Sequence, residues 1–222
     1  PLVYCGTGGI LPDNYNGRPA WEKEIAPGDR IVMAGGRVGK DGIHGATFSS
    51  LGLDKHSPRS AVQIGSPITQ KMLSDFLVEA CRRGLVKCAT DDGAGGLSSS
   101  VGELAPLSGG AEVWLERVPL KYPGLQPWEI FLSESQERMT LVVTPEAGPE
   151  LAQLAKLYEV EATIIGQFTA TGLLEVAHAG QPVAQLDLDF LHDGLPRKQL
   201  EAEWRRPEPP EPEIPDQLNF TA

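Results

Sequence analysis

Short apolar runs, each closed by glycine or proline, alternate with longer amphipathic stretches along this chain. That alternation predicts an α/β (α+β) fold, a mixed sheet layered with helices. Residues 31–34 (IVMA) and 61–64 (AVQI) read as short strands. Ser66 and Pro67 then read as the N-cap and first residue of a helix. Its apolar face is predicted along Ile68, Met72, Phe76 and Ala80, with Leu73 and Leu77 in the adjacent row. Arg82 and Arg83 suit its last turn, and Gly84 stops it. Strands are expected at 85–89, 112–118 and 139–143, and helices at 127–132 and 149–158, the latter using Leu151, Leu154, Ala155 and Tyr158. A further helix is expected to start near 98–100, with Ser100 and Glu103 spaced as a capping box. Residues 162–168, 173–177 and 183–188 complete the pattern as strands, the last two joined through Ala179 and Gly180.

The glycines and prolines of residues 1–29 predict a connector arriving from an upstream domain, residues 30–200 the folded domain, and residues 201–222 a linker. From Pro207 that linker is acidic and proline-rich, hence stiff. The start at Pro1, inside an apolar Leu2-Val3-Tyr4 run, is expected of a fragment. The net charge of −11, from 30 acidic and 19 basic residues, argues against a sequence-independent nucleic-acid binder. No apolar run approaches the roughly 20 residues of a membrane span, and no secretory start is present. Three cysteines without a CxxC argue against a disulfide framework or zinc site and fit a reducing cytoplasm. Cys81 and Cys88 are expected as small core residues. His44, His56, His178 and His192 lack metal-ligand spacing, and no GxSxG or Cys–His pattern supports a triad hydrolase.

Three loops carry candidate chemistry. Residues 35–45 hold five glycines in eleven positions, with Arg37 and Lys40 among them. Glycines admit a ligand close to backbone N–H groups, and the two cations suit phosphate. Neither the Walker nor the Rossmann spacing is present, so a phosphate cradle and an ordinary surface loop both remain open. Asp91 and Asp92 at a strand end suit Mg²⁺ coordination or a solvated turn before a helix. Residues 133–138 are unusually polar for a segment entering a core strand. Glu134 and Gln136 there suit ligand hydroxyls or amides, or a cap.

Together these loops resemble the phosphoribosylformylglycinamidine (FGAM) synthase family of purine biosynthesis. Residues 35–48, GGRVGKDGIHGATF, resemble its GGRTGRDGIHGATF stretch. Residues 62–67, VQIGSP, are similar to VQVGDP, and 91–97, DDGAGGL, to DMGAAGL. Residues 132–139, LSESQERM, match without change. The resemblance covers residues 2–189. It implies the C-terminal-type half of an aminoimidazole-ribonucleotide-synthetase-like tandem, partly ferredoxin-like, from the first of two copies. It implies an enzyme that uses ATP and Mg²⁺ to activate the amide oxygen of formylglycinamide ribonucleotide (FGAR), with ammonia from a glutaminase subunit or domain displacing phosphate. By resemblance Gln63, Glu134, Ser135 and Gln136 bind substrate and Asp91 binds metal, with Asp92 a second metal candidate. Gly36, Arg37, Gly39, Lys40 and His44 are further ligand candidates. Ser66 and Asp92 depart from the family's Asp and Met. The upstream motifs where the family places its catalytic histidine and nucleotide lysine have no counterpart, so no catalytic residue is assigned and the chain alone is expected to be inactive. The alternatives are a binding or scaffold domain of the same superfamily, or a related synthetase such as a selenophosphate synthetase or hydrogenase-maturation protein. Retention of residues 133–139 favours FGAM synthase.

Overall fold

The computed structural model describes residues 6, 8–15, 17–43, 63–196 and 198–205. Within them a two-residue hairpin, β1 (Asn14–Tyr15) and β2 (Arg18–Pro19), precedes the main sheet. The sheet contains β3 (Arg30–Gly35), β4 (Cys88–Asp91), β5 (Ala111–Trp114), β6 (Arg138–Val143), β7 (Ala162–Phe168), β8 (Leu173–His178) and β9 (Gln181–Asp187). The helices are α1 (Pro67–Arg82), α2 (Leu97–Ser108), α3 (Pro127–Leu132), α4 (Gly148–Leu157) and α5 (Leu188–Asp193). The seven strands lie in the order β4-β6-β3-β7-β5-β8-β9, antiparallel except for the β5–β8 pair. The α/β layering is therefore as the alternation predicts.

β3 reads as an unbroken apolar run because both its faces are covered. Ile31 and Met33 join Leu97, Val101, Leu104, Ile130 and Phe131 in one core. Val32 and Ala34 join Leu73, Phe76, Leu151 and Leu154 in a second core on the other face. Burying a side chain of this size contributes about 1.5–3 kcal/mol, so this central strand ties the two helical layers together.

Several sequence expectations need correction. Ile68 is 74% exposed, and α1 buries Leu73, Phe76 and Ala80. Each i, i+4 step drifts about 40° round the helix, which carries Ile68 out of the stripe. β4 begins three residues later than expected, because Lys87 and Cys88 are the first to pair with Val142. That shift puts Asp91 at the strand end, opposite Met139. Ser100 lies inside α2, which Gly96 caps, so there is no Ser100–Glu103 capping box. Finally, β5 ends at Trp114, and a 3₁₀ turn takes up Leu115–Arg117. Of the strand expected over 61–64, residues 61 and 62 lie outside the described residues, and Gln63 and Ile64 are unpaired coil. Ser66 does cap α1, its hydroxyl accepting from the Thr69 N–H at 3.4 Å. The β1–β2 hairpin, inside the expected connector, docks before β4: the Tyr15 hydroxyl donates to the Val86 carbonyl at 2.7 Å and Arg18 to the Lys87 carbonyl at 3.0 Å.

Candidate ligand site

At one end of the sheet, three segments close on residues 133–137, the link between α3 and β6. Two glycines make this approach possible. A Cβ at Gly35 would collide with the Glu137 carbonyl oxygen, and one at Gly96 with the Ser133 carbonyl oxygen. Both take positive φ, +110° and +56°, a region open to glycine at little cost. Glu137 itself has φ 56°, which turns its carbonyl to accept from the Gly36 N–H at 2.9 Å. A non-glycine residue in that region is held there by its surroundings.

Glu134 is the hub. It is 5% exposed, and its carboxylate accepts from the Gln63 side-chain amide at 2.5 Å and from the Gly95 N–H at 3.0 Å. Its own N–H donates to the Asp41 carbonyl at 3.0 Å, and its carbonyl accepts from the Gln136 amide at 2.8 Å. Gln63, Glu134 and Gln136, far apart in sequence, thus form one hydrogen-bonded group. Each carboxylate oxygen keeps a further lone pair for a ligand donor. Ser135 faces inward: its hydroxyl donates to Asp41 at 2.6 Å and accepts from the Gly39 N–H at 2.9 Å. Burial alone would push the Asp41 carboxyl up, but Lys121 and Ser135 together hold it below its ordinary value.

Asp91 and Asp92 separate cleanly. Asp91 is exposed and lines a cleft of about 290 Å³ together with Gly93, Gln136, Gln70 and Ser74. Asp92 is 3% exposed, and its Oδ1 accepts from the Ser100 and Thr140 hydroxyls at 2.5 and 2.7 Å. Burial pushes its carboxyl up, against the pull of Arg138. No group of three His, Cys, Asp or Glu side chains suited to a metal occurs among the described residues. Asp91, the exposed member of this pair, suits a Mg²⁺ that would take its remaining ligands from phosphate oxygens and water.

The cations of the glycine loop are committed elsewhere. Arg37 donates through Nε to Glu161 at 2.7 Å, and Lys40 lies 2.8 Å from Glu129. Those partners raise both cations' pKa. His44 lies outside the described residues, as do Cys5, His56 and the acidic linker from Pro207. Cys81 and Cys88 are half-buried, and burial pushes both thiols up, which fits core residues better than nucleophiles. Sequence reading missed Asp41, Lys121, Glu129 and Arg138. The polarity of residues 133–138 at the mouth of a core strand was the available signal for Arg138.

The fold and these loops define a domain of known class. The chain belongs to the family described as AIR synthase related protein, C-terminal domain, whose model matches residues 26–189. It is similar to phosphoribosylformylglycinamidine synthase subunit PurL of Methanopyrus kandleri, 44% identical over 182 residues, which cover 80% of this chain and 25% of that protein. The chain spans about a quarter of the length of the curated relatives it matches. In structure it is similar to Thermotoga maritima PurL complexed with FGAR, with a TM-score of 0.76 and 34% identity over 86% of this chain and 32% of that one. The same protein has been solved with ATP and as PurLQS. Escherichia coli HypE, at 21% identity and a TM-score of 0.53 over 74% of this chain and 51% of its own, shares the fold alone. No helix among the described residues is long and apolar enough to cross a membrane.

Proposed function

We infer that this chain forms the substrate and metal face of a phosphoribosylformylglycinamidine synthase, working in the cytoplasm in de novo purine biosynthesis. One observation carries the reading: Gln63, Glu134 and Gln136 form a single hydrogen-bonded group beside the Asp91 cleft, in a chain similar to a PurL solved with FGAR. Glu134 accepts from ligand hydroxyls, while Gln63 and Gln136 offer amide donors and acceptors. Glu134 is pinned by the Gly95 and Asp41 backbone, so it meets the ligand without a large ordering cost. Asp91 holds Mg²⁺, which when bound neutralises phosphate oxygens in the transfer from ATP. ATP, the catalytic groups and the ammonia-supplying glutaminase belong to the rest of the assembly, which residues 1–29 and 201–222 connect to the domain of 30–200. The glycine loop acts by shaping residues 133–137, with its cations facing outward.

Titration calorimetry of the 222-residue chain with FGAR and Mg²⁺ tests this. One FGAR site is expected, weakened at least tenfold, about 1.4 kcal/mol, by Glu134→Ala, with no FGAM produced on adding ATP and ammonia. Absence of FGAR binding to the folded chain would overturn the reading, and so would turnover by the chain alone.

A further inference from the structure

Arg138 opens β6 opposite Gly35 and is 3% exposed. Its guanidinium spans two carbonyls of the substrate loop. Nε donates to Ser135 at 2.7 Å and Nη2 to Ser133 at 2.5 Å. Nη1 contacts the Met33 sulfur at 3.7 Å and lies 3.9 Å from Asp92 Oδ2. A planar fork can hold two carbonyls at a fixed separation, which a lysine ammonium cannot do. Fixing the carbonyls on either side of Glu134 sets the backbone from which its carboxylate projects to Gln63 and Gly95.

The guanidinium is itself held. Asp92 Oδ1 is anchored by Ser100 and Thr140, and the Asp92 N–H donates to the Arg138 carbonyl at 3.1 Å. Asp92 Oδ2 has no hydrogen-bond partner and is buried at ion-pair distance from Arg138. A buried pair of this kind adds little to stability over an apolar pair of the same volume, whereas losing one member leaves a buried charge uncompensated. Its use here is therefore geometric. The aspartate stands at the position where the resembled family stretch carries Met, so that stretch lacks this counter-charge.

We propose that Arg138 and Asp92 are positioning residues for the substrate loop: Arg138 sets the Ser133 and Ser135 carbonyls, Asp92 holds Arg138, and of the two adjacent aspartates only Asp91 faces the cleft. The proposal rests on the FGAR reading for its binding test and on the fold alone for its exchange test.

Both tests use the full chain as wild type, Arg138→Lys, Asp92→Met and the double variant Arg138→Met/Asp92→Met. Asp92→Met should lower the unfolding temperature most, and the double variant should recover most of that loss. FGAR affinity should not recover with it, remaining about tenfold weaker in the double variant, as in Arg138→Lys. Hydrogen exchange at the Gly95 amide, which reports the Glu134 carboxylate, should quicken about tenfold in both, while β3 amides keep their protection. A double variant that regains wild-type affinity and Gly95 protection would show the pair to be mere packing and overturn the proposal. If the wild-type chain takes up no FGAR, the functional reading falls and exchange decides alone: faster Gly95 exchange supports the positioning role and unchanged exchange refutes it.

Discussion

Residues 36–43 and 133–137 lie side by side at the same end of the sheet, and both look ligand-directed in sequence. They are built in opposite ways. The 133–137 loop keeps Glu134 and Ser135 buried and hydrogen-bonded across the fold, with the buried Arg138 at the start of β6 donating back to its carbonyls. The 36–43 loop keeps its cations outside, each paired with a glutamate. A buried polar group lacking its partner is costly, so its geometry is enforced. The Arg37–Glu161 pair is exposed on both sides and so is worth little, and Lys40 reaches its buried partner Glu129 from the surface. The first loop can therefore hold a preset ligand geometry, and the second serves as its support.

The sharpest way to break this contrast is to crowd the buried loop. Gly96→Ala puts a methyl group against the Ser133 carbonyl at φ +56° and should destabilise the chain by about 3 kcal/mol or more, read from urea unfolding. Glu134→Ala leaves the Gly95 N–H without its carboxylate, at a stability cost of about 2 kcal/mol besides the loss of FGAR binding. Asp41→Asn probes the seam between the loops. The folded Asp41 carboxyl titrates below its ordinary 3.8, so the stability it contributes is present above pH 3.8 and fades as pH falls through the folded value. The variant should thus be weaker than wild type at neutral pH, with the gap closing in acid unfolding curves. Arg37→Ala should do least, leaving both the unfolding temperature and FGAR affinity unchanged within error.

Elements whose determinants are local could be read from sequence. α3 runs over 127–132 as expected because Pro127 starts it and Gln126 and Glu129 cap each other. The β8–β9 turn falls at Ala179 and Gly180, where φ is 51° and 73°, as a two-residue hairpin of the primed type demands. Composition alone marks the site as three polar or glycine-rich loops, and the choice of Gln63, Asp91 and Glu134 to Gln136 comes from the family resemblance. Gly35 and Gly96 are required by carbonyls on Glu137 and Ser133, and no periodicity reaches that far along the chain. Asp91 and Asp92 are neighbours of one type, and only the pairing of β4 with β6 decides which one is buried. The two cations of the glycine loop suggested phosphate because Glu129 and Glu161, their partners, are remote in sequence.

The contrast between the loops is tested most directly by amide chemical shifts of the full chain during titration with FGAR and Mg²⁺. The largest changes are expected at Gln63, Asp91, Gly95 and residues 134–136, with Arg37 and Lys40 nearly still. Changes centred on Arg37 and Lys40, with residues 134–136 unmoved, would contradict the account.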